Sequence, residues 1–271
     1  MPLALILSSY VAADRIGGGA QQLALAAFGI DPFLIPTVLL GASPAKGGRG
    51  RATDPELFQH LLDGVDGLLG RVDLIVTGHF SLPEQVFLAC EIIAKAWTGD
   101  RQPVVIVDPV LGDAPKGLYV KPEVARAVAE DLVPLADWIT PNLWELSHLA
   151  GGEVTDAAGV VEAVRTVGKP ALVTSVPAGE GEIGLLCCTP EGATLFAHPR
   201  QAQAPNGTGD LVTAVFAAGL VQGLAPADAA ERAARAVAEA LAASDGDALP
   251  LVALGERLVR PAARVRIERL V

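Results

Sequence analysis

Val104-Val105-Ile106-Val107-Asp108-Pro109-Val110-Leu111-Gly112-Asp113 begins with four β-branched apolar residues and stops at a carboxylate and a proline. A run with no polar alternation reads as a strand buried on both faces, the pattern of a parallel sheet covered by helices. Similar short runs occur at residues 3–8, 33–39, 74–77, 138–139, 171–174 and 183–188. Helical patterns separate or follow them at 18–28, 54–70, 83–97, 122–132, 143–149, 157–167, 209–223 and 226–244. Strands alternating with helices predict an α/β fold with a central, mostly parallel sheet flanked by helices. No stretch reads as a linker between domains and no internal repeat is visible, so residues 1–271 are expected to form one domain. The nearest thing to a linker, the glycine-rich segment 41–51, lies between a strand and a helix and reads as a mobile loop.

In open α/β sheets ligands bind beyond the carboxyl ends of the strands, and polar residues gather at those ends. Ser8 and Ser9 follow the first strand, Thr77-Gly78-His79 the third, and Asp108 to Asp113 the quoted one. Thr140-Pro141-Asn142-Leu143-Trp144-Glu145 and Thr174-Ser175 follow two later strands. The last is Pro205-Asn206-Gly207-Thr208-Gly209-Asp210, which runs directly into the apolar stretch Leu211 to Leu220. Its glycines allow close backbone approach, and the free N–H groups of the following helix start suit an anion. Asp210 beside such an anion points to proton handling during phosphoryl transfer. The same residues also satisfy the simpler requirement of a turn and a helix cap, and Pro109 and Gly112 would likewise suit Asp108 and Asp113 to a turn. Asp108, Asp113 and Glu145 on one rim with Asp210 would be costly to assemble without a hard cation.

Composition narrows the classes. Hydrophobic residues make up 51% and charged residues 19%, which excludes global disorder. The net charge of −11 argues against a broad nucleic-acid or anionic-membrane surface. An anionic substrate would need local positive potential from a helix terminus or a metal. Cys90, Cys187 and Cys188 form neither a disulfide framework nor a zinc site. As neighbours on a strand, Cys187 and Cys188 should face opposite sides as buried thiols. With no basic leader at Met1 to Leu7 and no long apolar span, a reducing cytoplasm is expected.

The ordered segments 107–113, 117–120, 135–145, 174–175 and 207–210 resemble the ribokinase-like kinases and, among these, the pyridoxal kinases of the vitamin-kinase group. The likeness runs from about residue 3 to residue 245. Gly-Thr-Gly-Asp with Asn-x-x-Glu marks the superfamily; Asp-Pro-Val-Leu-Gly-Asp with Ile-Thr-Pro-Asn narrows it to the vitamin kinases. The resemblance implies a ribokinase-like three-layer sandwich, ATP as phosphoryl donor, Mg2+, K+ as a further cation, and a homodimer. It implies that Asp210 takes the proton from the 5′-hydroxymethyl group of pyridoxal, with pyridoxine and pyridoxamine as relatives. Gly207, Thr208 and Gly209 would form the anion hole. Glu145 and Asn142 would organise Mg2+ and its waters, with Asp108 and Asp113 beside phosphates and cations. Thr140, Thr174 and Ser175 would contact phosphate, Ser9 the polar edge of the pyridine, and His79 the substrate.

The departures fall in the substrate half. The family carries an Asn-His-Thr-Gly-Tyr-like loop where this chain has Gly41-Ala42-Ser43-Pro44-Ala45-Lys46. The aromatic fraction of 4% leaves few rings to stack on a substrate. A hydroxymethylpyrimidine or another small heterocycle is therefore an alternative substrate, and a non-catalytic nucleotide- or vitamin-binding protein a second alternative. Lys46, Arg49 and Arg51 suit a lid or a solvated loop. His60, His148 and His198 are expected outside the rim, and Trp97, Trp138 and Trp144 in packing.

Overall fold

The computed structural model describes every residue except Asp100, Ala202 and Val271. The chain begins with β1 (Leu3–Val11), α1 (Gly18–Ala27), β2 (Asp31–Leu40), β3 (Gly50–Ala52), α2 (Pro55–Val65), β4 (Val72–Thr77) and α3 (Pro83–Ala96). It continues through β5 (Val104–Val107), the hairpin β6 (Gly112–Asp113) and β7 (Gly117–Leu118), α4 (Pro122–Ala127), β8 (Trp138–Ile139), α5 (Leu143–Ala150) and α6 (Ala157–Val167). Then follow β9 (Ala171–Pro177), β10 (Glu182–Thr189), β11 (Gly192–Pro199), α7 (Thr208–Val221), α8 (Pro226–Ala243) and, after two short helical turns, β12 (Arg266–Arg269).

Ten strands form one sheet in the order β12-β11-β10-β9-β8-β5-β4-β1-β2-β3. From β9 to β2 the neighbours pair in parallel, while β3, β10, β11 and β12 join antiparallel. The expected three-layer sandwich follows from the period of two along the strands. Leu5, Leu7, Ile75, Val105 and Val107 face a core with Phe58 of α2, Val86 of α3 and Val160 of α6. Ala4, Ile6, Leu74, Val76 and Ile106 face the opposite core with α1, α7 and α8. Cys188 joins the first core and Cys187 the second, as adjacent strand residues must.

Four departures from the sequence reading stand out. The segment 41–51 is not a free loop: Pro44–Lys46 forms a 3-10 turn and Gly50 and Arg51 belong to an edge strand paired with β2. The helix expected at 54–70 ends at Val65 and continues as a 3-10 turn. The one expected at 122–132 is α-helical only to Ala127 and then widens. β11 and β12 were not legible, because an antiparallel strand at the end of a sheet takes its hydrogen bonds from a partner that local pattern does not specify.

β1 has β2 on one side and β4 on the other, and the connections leave to opposite faces through α1 and α2. The carboxyl ends of β1 and β4 therefore flank the crevice where strand order reverses. Ser8, Thr77 and Asp108 all lie at that edge.

Candidate active site

α7 begins at Thr208 with Gly207 as its cap residue, in the left-handed region at φ 95°. A Cβ on Gly207 would lie 2.6 Å from the carbonyl oxygen of Arg15, so only glycine fits against the 15–17 loop. That loop returns the contact: the Gly17 N–H donates to Asp210 Oδ2 at 2.8 Å. Gly17 is equally constrained, with φ 59° and Ser9 Oγ 2.1 Å from the place of a Cβ. Asp210 thus sits in the first turn of α7 with one oxygen held and the first-turn amides around it unpaired within the helix. Burial pushes its carboxyl up to about 6, against the opposing pull of the Gly17 N–H. A base poised near neutrality is what proton abstraction from an alcohol requires.

A second carboxylate lies beneath. Asp108 is buried, and its Oδ2 accepts from Thr213 Oγ1 at 3.0 Å. Thr213 in turn meets Thr140 Oγ1 at 2.8 Å in the same buried layer. Burial first, then the charges of Glu145 and Asp210, hold Asp108 well above the usual carboxylate range. The turn after it carries Val110 at φ 44°, a left-handed conformation that a β-branched residue rarely adopts.

Asn142 and Glu145 form a capping box on α5: Asn142 Oδ1 accepts from the Glu145 N–H at 2.9 Å, and Glu145 Oε2 from the Asn142 N–H at 2.8 Å. The pair also reaches outward. Glu145 Oε1 accepts from the N–H groups of Leu111 at 2.8 Å and Gly112 at 3.4 Å, while Asn142 Nδ2 donates to the Gly112 carbonyl at 2.8 Å. Burial nevertheless pushes Glu145 up to about 7. The Asn-x-x-Glu motif therefore clamps the segment that leads into Asp113. Asp113 Oδ1 is buried without a partner, and burial together with the nearby Asp113 carboxylate raises the Tyr119 hydroxyl, which keeps its proton.

On the other flank, Thr174, Ser175, Thr208 and Gly209 line a cleft of about 360 Å3 together with His198 and Arg200. Ser175 sits at φ 62°, where the pairing of β9 with β10 slips. His198 is corrected here: expected away from the rim, it is a buried wall of this cleft. It was missed because β11 was missed.

On the substrate side, Ser9 is buried against Gly17. His79 is half-buried, 3.2 Å from Ser81 Oγ through Nε2, and burial pushes it down to about 4, so the ring is neutral at pH 7. Of the expected residues, Asp210, Gly207, Thr208, Gly209, Thr174 and Ser175 meet at one rim. Thr140 lies a layer below it, supporting Asp108 through Thr213. Gly17 and Thr213 were not anticipated, although three consecutive glycines and a lone hydroxyl inside an apolar helix were the available signals.

A half-buried carboxylate at a helix N-terminus, above buried carboxylates on a mostly parallel sheet, is the framework of the ribokinase-like class of small-molecule kinases. Residues 77–249 match the phosphomethylpyrimidine kinase family. The relative from Bordetella avium named pyridoxine/pyridoxal/pyridoxamine kinase is 35% identical over 87% of this chain and 83% of its own. A pyridoxal kinase PdxY from Rubrobacter xylanophilus is 32% identical over 98% and 97%. The chain belongs to this family, on its pyridoxal kinase branch. The solved pyridoxal kinase of Leishmania donovani in complex with ADP and pyridoxine superposes with a TM-score of 0.89 over 99% of both chains, at 24% identity, which speaks to the fold. The Entamoeba histolytica pyridoxal kinase does the same over 100% of both, with the same TM-score and identity.

Proposed function

We propose that this protein transfers the γ-phosphoryl group of ATP to the 5′-hydroxymethyl oxygen of pyridoxal, giving pyridoxal 5′-phosphate, with pyridoxine and pyridoxamine as further substrates. The observation that carries this reading is Asp210, held by the Gly17 N–H at 2.8 Å and raised to about 6, in a chain whose relatives are named for these vitamers. Asp210 takes the hydroxyl proton as the oxygen attacks, and the amides of Gly207, Thr208 and Gly209 receive the charge on the phosphoryl oxygens. Thr174 and Ser175 take phosphate oxygens in the adjoining cleft. Ser9 and His79 orient the heterocycle, the neutral His79 ring offering one donor and one acceptor.

The residues fit Mg2+. Asp113 carries an unpartnered buried oxygen, and Asp108 feels the charges of Glu145 and Asp210, an excess that a hard cation offsets. Among the described residues no three acidic, imidazole or thiol side chains would hold an ion alone. Asp108 and Asp113 would therefore share it with phosphate oxygens and water, Glu145 holding their loop in place. When bound, Mg2+ supplies charge neutralisation at the transferred group. A dependence on K+ is tested by exchanging it for tetramethylammonium.

The ten strands of one sheet support a single kinase domain over 1–271. Tyr10 and Leu39 are register partners on neighbouring strands and both are exposed, which supports a homodimer, tested by ultracentrifugation. The free thiols support a cytoplasmic setting, tested by fractionation. The match to the phosphomethylpyrimidine kinase family, with the altered 41–46 segment, favours hydroxymethylpyrimidine as the second substrate reading. The deciding experiment measures ADP release with pyridoxal, pyridoxine, pyridoxamine and hydroxymethylpyrimidine, with Asp210→Asn as control. Turnover on the pyrimidine alone moves the substrate; binding without turnover on all four overturns the kinase reading.

A further inference from the structure

The segment that departs from the family pattern is tied down by side chains the reaction does not use. Asp14 is buried, and its two oxygens are separately occupied: Oδ1 takes the Lys46 ammonium at 2.7 Å and Oδ2 the Ser43 N–H at 2.7 Å. The Lys46 ammonium also meets Asp247 at 3.4 Å. Ser43 Oγ caps the Pro44–Lys46 turn by accepting from the Ala45 N–H at 3.2 Å, and accepts from Asn206 Nδ2 at 3.4 Å. The turn itself is tight. Gly47 is left-handed at φ 75°, and a Cβ on Gly48 would lie 1.9 Å from the Ala42 carbonyl oxygen.

These contacts close a ring. Asp14 holds Ser43, Ser43 is held by Asn206, and four residues later Asp210 accepts from Gly17, which is three residues from Asp14. We propose that Asp14, Ser43 and Lys46 are positioning residues that fasten the 42–48 turn to the Asn206–Asp210 turn and so set where the Asp210 carboxylate stands relative to the substrate hydroxyl. This rests on the reading of Asp210 as the base. Lys46 has its charge matched inside the latch, so its function is to hold the turn, not to reach for phosphate. Breaking the pair leaves a buried carboxylate short of its strongest donor and frees two segments that otherwise brace the base.

Two measurements on the full chain separate the latch from the base. Amide hydrogen exchange of the free protein reads the ring without any substrate. In Lys46→Met, exchange should quicken about tenfold in residues 12–17 and 204–211, far along the chain from the change, and stay unaltered in β4 and β5. Quickening confined to 41–49, or spread over the whole fold, overturns the proposal. In the kinase assay, Lys46→Met and Asp14→Asn should each lower kcat/KM for pyridoxal about tenfold. The ATP KM should hold, Lys46→Arg should recover most of the loss, and the double variant should be no worse than either single one. Equal losses for ATP and pyridoxal that follow a lowered Tm mean a structural role only and overturn it. If Asp210→Asn stays active, the base reading fails, while the exchange result still decides whether the ring exists.

Discussion

Replacing Asp210 with asparagine should slow turnover and at the same time stabilise the folded chain at neutral pH. The asparagine Oδ1 still accepts from the Gly17 N–H, which now meets Asp210 at 2.8 Å, so the loop keeps its anchor. What is lost is the ability to take a proton, an effect of about 10²–10⁴ in kcat, or about 3–5 kcal/mol in the barrier. Stability moves the other way. Burial raises the carboxyl from 3.8 to about 6, so the folded chain holds this proton more tightly than the unfolded one. The favourable contribution is complete below about pH 4, fades as pH rises through 6 and is gone at pH 7. A rise of that size corresponds to about 3 kcal/mol at most; side-chain relaxation at a half-buried site brings the expectation to about 1–3 kcal/mol. Asparagine carries no proton to lose. Thermal melts should therefore show Asp210→Asn above the wild type at pH 7.5, by about 2–4 °C per kcal/mol, and level with it at pH 4. A variant that keeps more than about a tenth of kcat would falsify the assignment of the base. Equal melting at pH 7.5 would show that the carboxylate is not desolvated, and the account of its poised pKa would fall.

Three other perturbations probe the surrounding framework. Gly17→Ala places a methyl 2.1 Å from Ser9 Oγ at a φ of 59°; the displaced loop should release Asp210 and cut kcat at least about tenfold, with far-UV circular dichroism unchanged. Glu145→Gln turns an amide toward one of three backbone donors; the cost of about 1–3 kcal/mol should appear in urea unfolding at pH 8, with kcat falling as the Leu111–Asp113 segment loosens. Because Glu145 is raised to about 7, the wild type gains stability by taking up a proton as pH falls below 7 and the glutamine variant does not, so that difference should widen. Thr213→Val removes the donor 3.0 Å from Asp108 and leaves Thr140 unpaired, so unfolding should become easier by about 1–3 kcal/mol; an unchanged midpoint would show that this buried hydroxyl chain contributes nothing.

Much of the site was readable because its residues are constrained locally. The four-residue apolar run before Asp108 reads as a doubly buried strand, which puts Asp108 at a carboxyl edge. Gly207 carries a conformational requirement, and Asp210 a charge, that no core position would select. The Asn142–Glu145 spacing is a capping box as well as a family signature, and the structure uses it in both directions, on α5 and on the 111–112 backbone. The hidden parts depend on a partner distant in sequence. His198 reaches the cleft only because β11 pairs with β10, and Lys46 looked like a solvated cation until Asp14, 32 residues away, met it.

The sequence by itself determined the class of sheet, the order of strands and helices through most of the chain, and which carboxylates, hydroxyls and glycines gather at the strand ends. Those properties reside in short windows, through periodicity, glycine torsions and the chemistry of single side chains. Tertiary structure alone decided what the alanine face of α8 packs on, with Gly219 against Ala229, because Asp228, Glu231, Arg232 and Arg235 mark the outward side of the helix and not the partner of the inward one. It alone decided that the 41–51 segment meets the Asn206–Asp210 turn through Ser43. A hydrogen-bonded ring through residues 14, 43, 206 and 210 exists only once the sheet has brought its strand ends to a common edge.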